Sequence, residues 1–282
     1  MKFNHVLVLY KSTIYERLIQ EKTAVRHGIP RRFKQAHHDH YATLNYVTNM
    51  LTAKGIPFKA FARGAKGLRY ELYDFIITVG GDGTFLEAAK NAGRQPILGV
   101  NSAPRWSVGR FCSATQETFS AIFERLVNRA IPVRQLRRMQ LRMRNAGRRI
   151  EALNDVLICH QNPAAMSHYF IKVGKIKEEH RSSGIWIATA AGSTGAIHSA
   201  GGEVQHVSDQ RLQYRTRELY IDCGIHHGLK SGFITPGHSV FVESLMPEGV
   251  IYVDGSHEKV AFPFGEKVLM SIAPRVLRVV GL

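Results

Sequence analysis

A β-branched, apolar run, Phe75-Ile76-Ile77-Thr78-Val79, passes without a break into Gly80-Gly81-Asp82-Gly83-Thr84. A buried strand that empties into glycines and then into a helix confines the chain to folds in which parallel strands alternate with helices. Glycines at such a turn let the backbone approach a phosphate closely, and the free N–H groups of the helix start favour an anion. Asp82 is the odd member, because a carboxylate repels phosphates. It belongs there if it holds Mg²⁺ or accepts a hydrogen bond from a hydroxyl, and both tasks suit phosphoryl transfer to an alcohol. The chain contains no G-x-x-x-x-G-K-[ST] and no G-x-G-x-x-G after a strand, which excludes a P-loop enzyme and an ordinary dinucleotide-dependent oxidoreductase.

The surrounding pattern agrees. Val6–Tyr10, Phe58–Ala62, Phe75–Val79 and Pro96–Val100 read as strands. Leu44, Val47 and Leu51 mark a helix stopped by Gly55, and Thr84–Ala92 marks another stopped by Gly93. Residues 113–128 predict one more helix, with Ser113 and Gln116 as a capping box. The period then changes: Met139, Leu141 and Met143 alternate with Gln140, Arg142 and Arg144, as on a half-buried strand. Asn145-Ala146-Gly147 reads as a turn. Ile150–Cys159, Tyr169–Val173, Ile185–Thr189, Leu219–Cys223, Ser239–Glu243 and Val250–Val253 all read as strands, and Asp254-Gly255 as a hairpin turn. An α/β part is therefore followed by a mainly β part.

The chain has 282 residues, enough for two modest cores. The first apolar run is too short for a secretory signal, and no stretch suits a membrane span, so a cytoplasmic protein with no membrane partner is expected. Cys112, Cys159 and Cys223 are scattered and odd in number, which argues against disulfides or a zinc site. Lys plus Arg number 38 against 22 for Asp plus Glu, a net charge of +16. That field attracts polyanions, either nucleic acid or nucleotide phosphates.

The glycine loop alone is shared with diacylglycerol and sphingosine kinases, so a lipid kinase is one rival reading. A basic nucleic-acid-binding protein on a kinase-like fold is another. The second half discriminates. Leu153-Asn154-Asp155, Arg181-Ser182-Ser183-Gly184, Thr189-Ala190-Ala191-Gly192-Ser193-Thr194-Gly195-Ala196 and Ser199-Ala200-Gly201-Gly202 follow in order. Together with the glycine loop they resemble the ATP-NAD kinase family, and most closely its plant NADH kinase branch, which also fits Asn101-Ser102 and Asp254-Gly255-Ser256-His257.

The resemblance implies a Rossmann-like α/β domain over residues 1–112 and a β-sandwich-like, dinucleotide-binding domain over 113–262, with 263–282 returning to the first. It implies a kinase that phosphorylates the 2′-hydroxyl of the adenosine ribose of NAD⁺ or NADH, with ATP and Mg²⁺, as a homodimer or higher homo-oligomer. Asp82 is then the base at that hydroxyl, with Gly81 and Gly83 beside phosphates. Asn154 and Asp155 meet the dinucleotide's hydroxyl and adenine groups, Thr194 and Ser199 line its pocket, and Thr84 and Arg181 complete the set. Ser183 stands where many members carry an aspartate near the nicotinamide end. A neutral side chain there predicts use of NADH at least comparable with NAD⁺. No protein ligand to a metal is assigned.

Other features read as structural. His37-His38-Asp39-His40 reads as a solvated loop and His226-His227 as another. Arg31-Arg32 and Arg137-Arg138 read as solvated faces, and Lys11 as a surface lysine after the first strand.

Overall fold

The structure is a computed structural model that describes residues 3–21, 28–221, 226–255 and 258–282. The chain divides into two units, Met1–Gln135 with Leu277–Leu282, and Leu136–Val276. The division lies at Gln135 rather than at 112, and the return starts at Leu277 rather than at 263.

In the first unit, β1 (Val6–Tyr10), β2 (Phe58–Ala62), β3 (Phe75–Gly80) and β4 (Ile97–Asn101) form a parallel sheet in the order β2-β1-β3-β4. Every residue of β3 and β4 is buried, as continuous apolar runs require in a sheet covered on both faces. The helices are α1 (Ile14–Gln20), α2 (Arg31–Ala53), α3 (Asp82–Asn91) and α4 (Phe119–Val127). A capping box starts α1: the Glu16 N–H donates to Thr13 Oγ1 and the Thr13 N–H to Glu16 Oε2. Along α2, Leu44, Val47 and Leu51 form the buried stripe, and Gly55 takes up the left-handed conformation just beyond its end.

The expected capping box at Ser113 and Gln116 is absent. Ala114–Thr115 instead forms β5, parallel to β4, and Ser113 Oγ donates to the Val280 carbonyl. The helix waits until Phe119, where Phe119, Phe123 and Leu126 turn inward.

The second unit is two sheets. One orders β10 (Ile176–Ser182), β9 (Ser167–Val173), β14 (Val240–Ser244) and β17 (Lys267–Val280), with β6 (Val133–Met143) and β7 (Arg149–Ala152) joined to β17. The other orders β13 (Ser231–Ile234), β12 (Leu212–Thr216), β11 (Ile185–Ala188), β8 (Asp155–His160), β15 (Gly249–Val253) and β16 (Glu258–Ala261). Ile171, Val242 and Met270 of the first share one core with Ile158, Ile187 and Ile251 of the second, as in a β-sandwich. From Leu277 onward β17 belongs to the first unit, where Val279 pairs with Ile97.

Three readings need correction here. The stretch Ile150–Cys159, read as one strand, is two, β7 and β8, in different sheets, broken at Leu153-Asn154. Leu219–Ile221 is not a strand, and the rest of that run, including Cys223, lies outside the described residues. Arg138 is buried rather than solvated, with its guanidinium 2.9 Å from Glu151.

Phe123 sits fully buried with its ring 5.5 Å from Phe119 and 5.8 Å from Phe3. Phe123→Ala is expected to destabilise the first unit by about 3–5 kcal/mol, read as a lower urea midpoint. A change below ~1 kcal/mol would mean that α4 adds little to the core.

Candidate active site

In the order β2-β1-β3, the chain leaves β1 for one neighbour and then crosses to the other. Such a switch opens a crevice outside the carboxyl ends of the strands. A cleft of about 560 Å³ lies there. Gly81, Asp82 and Gly83 follow β3 into it. Lys11, Ser12 and Thr13 follow β1, Arg63 follows β2, and Ala103, Trp106 and Ser107 come from the segment after β4.

The glycines are required by close approach. A Cβ on Gly81 would stand 2.6 Å from Ser107 Oγ, and one on Gly80 would collide with Thr84 Oγ1. Thr84 is correspondingly buried, propping the turn at the edge of the cleft. Helix α3 begins at Asp82, two residues before the expected start, so Asp82 and Gly83 form its first turn, where N–H groups have no partner inside the helix. The Phe111 N–H donates to Asp82 Oδ1 at 2.9 Å, which fixes the carboxylate. Phe111 is itself anchored by stacking on Phe85 at 5.1 Å.

Four cations, Lys11, Arg17, Arg32 and Arg63, line this cleft with the single acid Asp82. The surface reading of Lys11 is therefore corrected: it is half-buried, and burial lowers its pKa. Arg32 is exposed, as expected, but on the cleft wall. Cys112 feels both Asp82 and Lys11; burial first, then the Asp82 charge, pushes its thiol up to about 12, so it stays protonated. The His37–His40 segment is helix, not loop. His40 is buried with Nδ1 2.9 Å from Ser102 Oγ, and burial, reinforced by Lys11, lowers its pKa to about 4. His37 Nδ1 reaches Thr13 Oγ1 at 2.9 Å. A cation just past a strand end marks Lys11 and Arg63 in the sequence; nothing there marks Arg17 or Arg32.

The second unit carries a separate polar cluster. Asp254 Oδ1 and Oδ2 accept the N–H groups of Asn154 and Leu153 at 2.7 and 3.1 Å, and the Asp254 N–H donates to the Asp155 carbonyl at 2.9 Å. Asn154 Nδ2 donates to Asp155 Oδ2 at 3.2 Å. The Gly192–Gly195 loop closes over them: Gly192 has no room for a Cβ against the Asn154 carbonyl, and a Cβ on Gly195 would lie 3.5 Å from Asp155 Oδ2. Thr194 is half-buried in that loop, and Ser199 is exposed at the end of α5 (Ala196–Ser199). Burial, then the neighbouring Asp254 charge, raises the Asp155 pKa to about 7. Asp254 is also raised by burial, while the backbone N–H groups it accepts favour its charged form.

Arg181 and Ser183 are not brought to this cluster. Arg181 is exposed on β10. Ser183 lies just before β11, whose far end, Ala188, is the residue that pairs with Asp155. Five strand residues span roughly 16 Å. Ser183 instead lines a cavity of about 520 Å³ with Met166, Glu218 and Tyr220.

Fold and site define an α/β nucleotide-type cleft joined in one chain to a β-sandwich with a buried carboxyl pair. The profile of the ATP-NAD kinase N-terminal domain matches residues 9–131. A probable NADH kinase of Oryza sativa subsp. japonica is 32% identical over 86% of this chain and 81% of its own length, and an NADH kinase of Arabidopsis thaliana is 31% identical over 85% and 83%. Among solved structures, an NAD kinase from Archaeoglobus fulgidus in complex with ATP superposes with a TM-score of 0.70, at 22% identity, over 98% of this chain and 92% of that one. Yeast NADH kinase complexed with NADH superposes with a TM-score of 0.71, at 13% identity, over 100% and 84%. The chain belongs to the ATP-NAD kinase family.

The Asp155 proton has a measurable consequence. Unfolding returns its pKa to ~3.9, so between about pH 4 and pH 7 the folded chain holds a proton that the unfolded chain releases. Stability from this group therefore falls as pH rises through that window. Asp155→Asn is expected to remove the fall, gaining on the order of 2–4 kcal/mol over wild type between about pH 4 and pH 8 in urea titrations. Parallel pH profiles for the two proteins would show that Asp155 is not the proton holder.

Proposed function

We propose that this protein is an ATP-dependent NAD(H) kinase that phosphorylates the 2′-hydroxyl of the adenosine ribose to give NADP⁺ or NADPH. The observation that carries the reading is the 32% identity to a probable NADH kinase over most of both chains. The cleft at Gly81–Gly83 supplies the chemistry. The 2′-oxygen attacks the γ-phosphorus of MgATP, the new O–P bond forms as the bond to the β-phosphate oxygen breaks, and ADP leaves. Asp82 accepts the hydroxyl proton. The N–H groups of the first turn of α3, with Lys11 and Arg63, meet the negative charge of the transferred group. Mg²⁺ arrives with the triphosphate as part of the substrate.

Asn154 and Asp155 hold the dinucleotide's hydroxyl and adenine groups, with Thr194 and Ser199 along its pocket, Arg181 as a further contact and Ser183 toward the nicotinamide end. A lipid kinase is disfavoured by the Asn154-Asp155 cluster and the loop packed on it. The excess positive charge serves polyphosphate ligands and contacts between copies rather than a specific nucleic acid. The protein works in the cytoplasm as a homodimer or higher homo-oligomer. No helix among the described residues is long and apolar enough to cross a membrane, and exposed Met166, Tyr220 and Ile221 give the second unit an apolar surface for self-association.

Asp82→Asn keeps the shape and the acceptor oxygen for the Phe111 N–H but removes the base. Turnover is expected to fall by about 10²–10⁴-fold, with dinucleotide binding largely retained. Coupled detection of NADPH formation gives the rate and calorimetry the affinity. Near-normal turnover in the variant would take Asp82 out of the proton transfer.

A further inference from the structure

A second group of chemistry-bearing side chains lies in the β-sandwich and has no part in the kinase reading. Glu178 and His180 stand two residues apart on β10, so both project from the same face of the strand. His227, from the loop before β13, meets them. One ligand-capable atom from each of the three falls within 4.8 Å of the others. His180 Nε2 is 3.0 Å from Glu178 Oε2, and His227 Nδ1 is 3.7 Å from the same oxygen.

The geometry points to a divalent transition-metal site, of the zinc class, built from Glu178, His180 and His227. Zinc holds imidazole nitrogen and carboxylate oxygen at ~2.0–2.2 Å in a tetrahedron, which sets its ligand atoms ~3.3 Å apart. The separations of 3.0 and 3.7 Å bracket that edge. The third, between the two imidazoles, is no more than 4.8 Å. Two imidazoles and one carboxylate fill three positions, and water takes the fourth.

The supporting groups are those a metal site uses. His180 is fully buried, and its other nitrogen, Nδ1, is 3.3 Å from Thr216 Oγ1, which fixes the ring with Nε2 facing the site. The two rings meet edge to face at 5.0 Å, so their nitrogens converge without stacking. Glu178 is oriented by the N–H groups of Gly228 and Leu229 at 2.8 and 3.0 Å. Among the described residues, the ion-pair partners of Glu178 are the two histidines and no lysine or arginine. The carboxylate therefore faces this space without a fixed cation. A bound metal would tie the loop at His227–Leu229 to β10.

The test uses the full chain, stripped with a chelator and titrated with ZnCl₂ against a competing chromophoric chelator, with the melting temperature followed in parallel. Wild type is expected to take up one tight equivalent, and its melting temperature to rise with zinc concentration. His227→Gln alters a loop residue outside the sheets, and circular dichroism checks that they remain. It is expected to lose the tight equivalent, an effect at least as large as the roughly 10–100-fold seen when a supporting group is lost, together with the thermal shift. Co²⁺ should give visible bands of a tetrahedral site in wild type only. Absence of a tight equivalent in wild type, or its survival in His227→Gln, would overturn the assignment and leave Glu178 a hydrogen-bonded clamp on the loop.

Discussion

The turn after β3 depends on one steric constraint: there is no space above Gly80 and Gly81 for a side chain. Thr84 occupies the first position and Ser107 the second. Only glycine fits at both positions, and with it the strand turns directly into α3. Asp82 then occupies the first helical position, where the Phe111 N–H holds it. The stacked Phe85–Phe111 pair ties that donor to the helix it serves. The placement of the acid, the exposure of the N–H groups and the opening of the cleft at the β1–β3 switch are thus consequences of one local fit.

A comparable constraint governs the second unit. The Asp254 carboxylate accepts two consecutive N–H groups at the point where β7 gives way to β8. Those two donors would otherwise be left unpaired at the break, at a cost of about 1–3 kcal/mol each if buried. Burial first, and then that same carboxylate, raises the pKa of Asp155, so the device that repairs the backbone also contributes to the protonation of the neighbouring acid. Structure and electrostatics share one residue here.

These two constraints differ in how far the sequence reveals them. Strands β1 to β4 are legible because buried parallel strands are uninterrupted apolar runs, and the glycines mark where β3 must stop. The break at Asn154 is hard to see, because Ile150, Ala152, Val156 and Ile158 keep the alternation of a single strand across it and the repairing acid lies 100 residues away. Strand β10 escapes notice because Lys177, Glu178, Glu179, His180 and Arg181 look like a solvated stretch. β17 carries Pro274 in its middle, which argues against a strand of that length. His40 shows the same limit in a helix: an imidazole on α2 reads as surface until Ser102 is seen beside it. Of the cleft, the glycines and Asp82 were legible as a motif. Arg17 and Arg32 on its wall were not, because only the fold brings them to the opening that Arg63 also lines.

The reading rests on a hydroxyl placed for attack at a phosphate cradled by Gly81–Gly83. The most direct measurement supplies the purified chain with MgATP and either NAD⁺ or NADH, then locates the transferred phosphate on the product by ³¹P NMR and by an enzyme that accepts only NADP(H). The account predicts a single product phosphorylated at the 2′-position of the adenosine ribose, formed with one ADP per phosphate transferred. ATP hydrolysis without NADP(H), or a phosphate found at any other hydroxyl, would contradict it.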